Sequence, residues 1–532
     1  MKIAAATLRR FTAVHTWTGL VAGFALFVAF YAGAITVARE EVVRWHASAS
    51  PDRVQTLDDA QRLLDAVLRL HAEAHRHVGL LFPGVELPTA VAYWQDGAGT
   101  WQYATSDDPY GSPRRPLTAL TDLVDALHYS LGLPGVGIYL MGVASLLYGV
   151  ALFSGVVIHL PKLVEDLFAL RAGANLKRLW QDAHNVIGVL GLPMHLMFAT
   201  TGALLCLMFV FAAALDPLVF GGRLMQALPG ALDTAPARAP AERAAAPAPL
   251  ALWHARAIEA ARRRGVAGFE PAYLKLDHAG DANGVVEITG RAAGALGAQG
   301  SVALDAASGA LLAVQLPGSR DANHAAFAAA YALHFGDYGG DAVRVLYVLL
   351  GLAGAFLFYS GNLLWIESRR KRRRLRQGRA QVGMARATVG VCIGFCVAIS
   401  TTFVAAQTFA AFAPARAESG LRLACFAVWA AAIAWAAVRP PARGARELLW
   451  AAALATAAVP LAHGLVSAWW PWRSAAAGRW APFAVDVGAL ALASAFAALA
   501  RASARRARDG DPHSVWADPA RRDAAPDVPP AL

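Results

Sequence analysis

LRRFTAVHTWTGL at residues 8–20 and KRLWQDAHNVIGV at residues 177–189 are two copies of one segment, and superposing them decides the fold. His15 falls on His184, Arg9 on Arg178, Phe11 on Trp180 and Gly19 on Gly188. Eighteen residues after each histidine, Gly33 matches Gly202. A second pair repeats at its own fixed offset: Leu127-His128 matches Leu333-His334, and Phe153-Ser154-Gly155 matches Tyr359-Ser360-Gly361. The chain is a tandem duplication of helix, external segment, Leu-His and helix.

The composition says where those helices lie. With 57% hydrophobic and 16% charged residues among 532, and a mean hydropathy of +0.41, a soluble chain is excluded. Spanning a bilayer takes about 20 apolar residues, and eight stretches qualify, near 14–37, 136–160, 185–212, 343–366, 387–412, 421–439, 446–468 and 480–500. The net charge of +11 is concentrated beside them. Arg9 and Arg10 precede the first span. Lys162, Arg171, Lys177 and Arg178 lie between the second and third, and RRKRRRLRQGR, RPPARGARE and RASARRARDG follow the fourth, sixth and eighth. All these clusters fall on one side, so both termini are expected in the cytoplasm, and nucleic-acid binding is not needed to explain the charge. The first stretch is too long for a signal-peptide core and contains His15 and Trp17. Cys206, Cys392, Cys396 and Cys425 all sit inside apolar runs, which argues against disulfides, zinc and iron–sulfur clusters.

The expected fold class is mainly α: a polytopic membrane protein with a four-helix cofactor-binding core and two small external α+β units. Its segments are the first span (1–37), an external unit with a Leu-His segment (38–135), and the second and third spans (136–212). A linker and a second external unit with its Leu-His segment follow (213–342), then the fourth span with a basic segment (343–380), four more spans (381–501) and a disordered cytoplasmic tail (502–532). In the first external unit, QTLDDAQRLLDAVLRLHAEAHRH reads as helix and AVAYWQDGAGTWQYATSDD as strands around Asp96-Gly97. In the second, the Pro/Ala-rich TAPARAPAERAAAPAP precedes a helix near 250–264 and hairpins turning at Asn283-Gly284 and Ser308-Gly309.

Ionisable residues in membrane helices are costly and usually functional. By topology His15 and His184 lie at the cytoplasmic ends of their helices, while His128 and His334 precede helices that start outside. Two pairs result, one at each face. Paired imidazoles from facing helices suit the two axial positions of a b-type haem, so two haems b are expected, one on His15 and His184 and one on His128 and His334. Gly19 and Gly188, one turn after the inner histidines, would let a flat macrocycle approach the backbone. Arg9 and Arg178 would pair with its propionates. The alternative is that these histidines only hydrogen-bond between helices. His195 breaks the repeat, standing opposite Leu26 and, on a continuous helix, about 16 Å deeper than His184. It reads as an alternative ligand of the outer haem, a relay, or a buried hydrogen-bonding residue. His71, His75 and His77 read as a solvated helix face rather than a metal site, His159 and Trp365 as interfacial anchors, and Cys392 and Cys396 as core. His463 has no repeat partner.

RRFTAVHTWTGL, DALHYSLGLPG, DAHNVIGVLGLPMHLMFATTG and YALHFGDYGG, spanning about 1–370, resemble the PepSY-associated transmembrane family of bacterial inner-membrane proteins. ALDAASGALL is similar to the end of a PepSY unit through Asp305, Ser308 and Gly309, and DDPYGSP at 107–113 is a weaker match. The resemblance implies a haem-containing oxidoreductase akin to ferric-siderophore reductases, which release iron from an imported chelate by reducing it. It does not cover the four helices at 387–500.

Three functions compete. The first is di-haem electron transfer to a periplasmic ferric chelate such as a ferric siderophore, with burial and surroundings setting the haem potentials. The second is a non-catalytic PepSY anchor that binds or restrains a periplasmic partner, and the third a transporter, for which Asp486 is the main mid-membrane carboxylate. Cytoplasmic segments of about 24, 20, 7 and 32 residues contain no strand followed by G-x-G-x-x-G, and a single βαβ unit already takes about 30 residues. Electrons are therefore expected from a membrane quinol or a separate flavoprotein, not from NAD(P)H bound to this chain.

Overall fold

The structure is a computed structural model that describes residues 4–49, 54–85, 87–113, 118–162, 176–224, 226, 233–292, 296–370 and 377–520. Arg171 and the basic residues 371–376 lie outside the described residues, as does the end of the tail at 521–532. The chain divides into a helical unit (Met1–Ala49, Ala119–Cys206, Val348–Leu532) and a second unit (Ser50–Thr118, Leu207–Tyr347). In chain order the helices are α1 (Ala5–Thr36), α2 (Arg39–His46), α3 (Leu57–Leu70), α4 (Ala119–Ser130), α5 (Gly137–His159), α6 (Leu176–Leu190), α7 (Leu192–Leu215) and α8 (Leu250–Arg263). They continue as α9 (Ala322–Phe335), α10 (Gly340–Ser368), α11 (Arg379–Thr388), α12 (Gly394–Phe412), α13 (Ala417–Val438), α14 (Pro441–Ser467), α15 (Pro471–Ala476) and α16 (Trp480–Asp509).

Among the described residues eight helices are long and apolar enough to cross a membrane, and each matches one expected span. Within the helical unit small residues bring backbones together, the usual way helices associate where lipid offers no hydrophobic drive. A Cβ on Gly351 would lie 2.9 Å from the Ala34 Cβ, and one on Gly354 would enter the Phe30 ring. A π turn at Val389–Ile393 joins α11 to α12 and packs Gly390 onto Ile433 of α13. The third span departs from expectation because it is kinked. Pro193 has no N–H to give the Val189 carbonyl, and the helix bends through Gly191, although Gly191 N still donates to Ile187 O and His195 N to Gly191 O at 2.9 and 2.8 Å. The tail also differs from expectation. Helix α16 runs to Asp509, and residues 511–518 fold back with Ser514, Val515 and Ala517 buried, so only the part beyond Ala520 is left undescribed.

In the second unit both external segments build one antiparallel sheet. Its strands are β1 (His77–Leu81), β2 (Val91–Gln95), β3 (Trp101–Ala104), β4 (Phe269–Asp277), β5 (Val285–Ala292), β6 (Gln299–Asp305) and β7 (Leu311–Gln315), in the spatial order β3-β2-β1-β4-β5-β6-β7. Each segment supplies one α+β half, and the halves join edge to edge where β1 pairs β4, with Leu80 opposite Leu274. Joining them covers an edge that each half would otherwise expose. Period-two alternation sends Val78, Leu80, Trp94, Leu274, Leu276, Val286, Ile288 and Val302 into one core with Leu63, Leu64 and Val67 of α3 and Trp253 of α8. Full burial of each such side chain contributes about 1.5–3 kcal/mol. A Thr56–Asp59 capping box starts α3, and Trp253 Nε1 donates to the Ala306 carbonyl at 3.1 Å.

Candidate functional site

Three histidines at helix contacts, His15, His128 and His184, share one local geometry. His15 on α1 donates from Nδ1 to the Ala151 carbonyl of α5 at 2.8 Å, and a Cβ added at Gly155 would sit 3.2 Å from its Cε1. His184 on α6 donates from Nδ1 to the Leu357 carbonyl of α10 at 3.1 Å, and a Cβ at Gly361 would sit 3.3 Å from its Cε1. His128 on α4 donates to the Ala29 carbonyl of α1 at 2.8 Å, and a Cβ at Gly33 would overlap its ring at 2.7 Å. In all three the accepting carbonyl lies four residues before the glycine. One helical turn therefore offers both an acceptor and a gap, and the imidazole fills the gap.

This geometry fixes the chemistry of the ring. A carbonyl only accepts, so Nδ1 carries a proton, and in the neutral ring Nε2 then keeps its lone pair, the form in which imidazole binds a metal. A carbonyl on the distal nitrogen is also how metal-ligating histidines are usually held. His15 and His184 are brought together, with ring centroids 6.1 Å apart and planes at 83°. Two metal–nitrogen bonds of about 2 Å plus the inner half of each ring come to about 6 Å, so the spacing suits one metal ion between them. The donor set fits a haem iron on two counts: imidazoles each held through Nδ1, and a separation that leaves room for one metal ion.

The remaining predicted residues are placed as follows. Arg9 and Arg178 are exposed, six residues before His15 and His184. A Cβ on Gly19 would meet nothing within 4 Å and one on Gly188 only Leu357 Cδ1 at 3.7 Å, so helix packing does not demand glycine there. Along α1, His15 and Ala29, whose carbonyl accepts from His128, are fourteen residues and about 21 Å apart. His334 belongs to the second unit, on α9, where Tyr347 Oη donates to the Leu333 carbonyl at 2.6 Å and Gly336 closes the helix at φ +70°.

His195 lies on α7, one turn after Gly191. Its side chain is buried, and neither ring nitrogen makes a hydrogen bond of normal geometry, although the Ile187 carbonyl is close by. It sits in an aromatic cluster in which Phe30 lies within 6.3 Å of the rings of Tyr148, His195, Phe198 and Phe358, and Tyr148 Oη is also buried without a partner. Gly191, one turn earlier, leaves room for the His195 ring.

The histidines at 71–77 correct another expectation, because α3 ends at Leu70 and they do not form a helix face. His71 lies against Trp94 at 4.4 Å, His75 bonds the Leu68 and Ala279 carbonyls, and His77 Nδ1 donates to Asp277 Oδ1 at 2.6 Å. No group of three metal-ligating side chains occurs among the described residues. Asp305, Ser308 and Gly309 close the β6–β7 hairpin: Asp305 Oδ1 accepts from the Ser308 amide and hydroxyl at 3.0 and 2.8 Å, and Gly309 takes φ +68°.

Residues 12–368 match the family described as PepSY-associated TM region. The chain belongs to that family. The match covers both copies of the duplication and ends where the four additional helices begin. A membrane protein of this family is what the eight spans and the joined sheet describe. An uncharacterized protein of Pseudomonas aeruginosa is 34% identical over 266 residues, which are 47% of this chain and 64% of that relative. The carbonyls of Ala29, Ala151 and Leu357 escape a reading of side chains. The glycine four residues after each is the trace they leave in the sequence.

Proposed function

We propose that this PepSY-associated membrane protein is a di-haem electron-transfer protein of the bacterial inner membrane that reduces a periplasmic ferric chelate, in particular a ferric siderophore. The observation that carries the reading is the His15–His184 pair, two neutral imidazoles 6.1 Å apart, each held through Nδ1 by a backbone carbonyl. Hydrogen bonding to a carbonyl uses one nitrogen of each ring and gives no reason for the two rings to be brought together. His128, held in the same way, would serve the outer haem with His334 as its partner by the repeat. Haem, when bound, supplies one-electron redox chemistry at a potential set by its ligands and surroundings. Arg9 and Arg178 would offer positive charge to propionates at the cytoplasmic end. The aromatic cluster around Phe30 and His195 lies next to Ala29, which holds His128, and would line the approach to the outer haem. His195 would act there as a relay or as an alternative outer ligand. A membrane quinol or a separate flavoprotein would supply the electrons.

The test is a reduced-minus-oxidised spectrum with haem quantification on the purified chain. We expect sharp b-type bands and two haems per chain, with His15→Ala and His184→Ala each losing about half the haem. A colourless protein would favour the anchor function. One haem per chain, or unchanged spectra in both variants, would discard the pairing.

A further inference from the structure

The helices outside the repeat contain a buried ionisable cluster that electron transfer through the histidine pairs leaves unused. His463 on α14 and Asp486 on α16 are fully buried. Asp486 Oδ1 accepts from Trp45 Nε1 of α2 at 2.8 Å, and Oδ2 lies 2.8 Å from His463 Nδ1. The Trp45 ring is 5.1 Å from the imidazole. His463 Nε2 is buried with no hydrogen-bond partner, and so is Gln407 Nε2 on α12. His463 is four residues from the end of α14 and Asp486 six from the start of α16, so the cluster lies about 6–9 Å below that end of the bundle.

The surrounding charges are few. On α2, Arg39, Glu40 and Glu41 are half-buried in its first turn, His46 Nε2 is spent on the Ala406 carbonyl at 3.2 Å and Arg44 is exposed. Helix α12 carries no charged residue, and α16 has none besides Asp486 before Arg501. On α14 itself Arg443, Arg446 and Glu447 lie at the far end. At the near end Arg473 and Arg479 lie over the Trp469 ring, Glu418 of α13 is exposed and Arg422 half-buried. Among the described residues His463 is the one ion-pair partner of Asp486.

No placement of protons satisfies this cluster. With Asp486 ionised and His463 neutral, a full negative charge sits away from water, at a cost of several kcal/mol. One more proton makes the pair neutral overall, but the Nε2–H then faces no acceptor, at a cost of about 1–3 kcal/mol or more. Each protonation state therefore leaves one group of the cluster unsatisfied.

We propose that Trp45, Asp486 and His463 form an intramembrane proton-binding site that takes one proton from the external aqueous phase onto His463 Nε2 and offsets the charge of an electron held in the bundle. The N–H bond is the only bond made. The proton comes from external water and returns when the electron passes to the ferric chelate, while the electron comes from the quinol or flavoprotein donor. Proton binding stands independently of the electron-transfer reading, and the coupling rests on it.

Infrared difference spectra of the full-length protein between acid and alkaline pH test the first part. Carboxyl and imidazole bands should titrate together in the wild type and vanish in both Asp486→Asn and His463→Gln. Asp486→Asn keeps the size of the side chain and an acceptor for Trp45, so the cluster can still pack. Spectra that are the same in wild type and both variants would overturn the site, whether or not haem is present. Redox titration at several pH values tests the coupling: a haem potential falling by about 59 mV per tenfold change in proton activity in the wild type, and flattening in both variants, is expected for one proton per electron. An equal slope in all three proteins would overturn the coupling, and a protein without haem would instead sink the electron-transfer reading while the infrared result still decides the site.

Discussion

The two copies of the duplication agree closely in the helical unit and only loosely in the sheet. His15 with Ala151 and Gly155, and His184 with Leu357 and Gly361, repeat one contact position by position. In the sheet the first copy supplies three strands and the second four. The Asp305–Ser308–Gly309 turn closes a full hairpin, while the corresponding stretch at 107–113 makes a single bridge, Tyr103 to Ser112. Packing alone would tolerate drift in both places, as the exchanges of Phe11 for Trp180 and Phe153 for Tyr359 show. Glycine inside a helix is about 0.8–1 kcal/mol worse than alanine. The feature kept in both copies thus carries a local penalty, and its benefit lies in how it holds an imidazole.

The sharpest way to break that comparison is to fill the gaps. Gly155→Val and Gly361→Val place branched carbon where each inner ring now lies, and should displace His15 and His184 respectively. Each variant should lose about half the haem, matching the corresponding alanine variant, with the sheet intact by circular dichroism. Full haem retention in either would mean that the glycine does not position the ring. A smaller effect is expected at Gly19 and Gly188, where an added methyl meets open space. Gly19→Ala should fold at least as well as the parent yet weaken haem binding by about 1 kcal/mol, or fivefold, as the methyl keeps the macrocycle away from the helix. Unchanged haem affinity would remove both glycines from the site.

The membrane helices were legible because their evidence is local: an apolar run, basic flanks, and a duplication visible as matched letters. The hairpins at Asn283-Gly284 and Ser308-Gly309 were legible for the same reason. Strand β1 was not. HVGLL follows a histidine-rich stretch that continues the helical pattern of α3, and its role depends on pairing with β4, about 190 residues later in the chain. The union of the two external segments into one sheet therefore leaves no local trace. The carbonyl partners of the histidines are hidden because backbone atoms have no letter of their own. His463 and Asp486 were each visible, but Trp45 and their meeting depend on three helices of which α14 and α16 have no repeat partner.

The smallest expected effect lies at the β1–β4 junction, where His77 Nδ1 donates to Asp277 Oδ1 and Lys275 Nζ lies 3.6 Å from Oδ2. Burial pushes the Asp277 carboxyl up, but the hydrogen bond from His77 and the nearby Lys275 charge outweigh it, and the group ends below the usual carboxylate range. A depressed carboxyl stabilises the fold above its unfolded value, about pH 3.9, and that contribution disappears as pH falls through the lower folded value. Both side chains are about three-tenths exposed, so water screens the pair and it contributes about 0.5–1 kcal/mol. Asp277→Asn should then raise local opening of the junction two- to fivefold at neutral pH, read by hydrogen exchange at the amides of β1 and β4 in the full-length protein. Wild type and variant should converge at acid pH, where the wild-type carboxyl is protonated as well. A difference that persists undiminished in acid would mean that Asp277 acts through its shape and not its charge, and the joint between the two halves of the sheet would then rest on the apolar pairing of Leu80 and Leu274 alone.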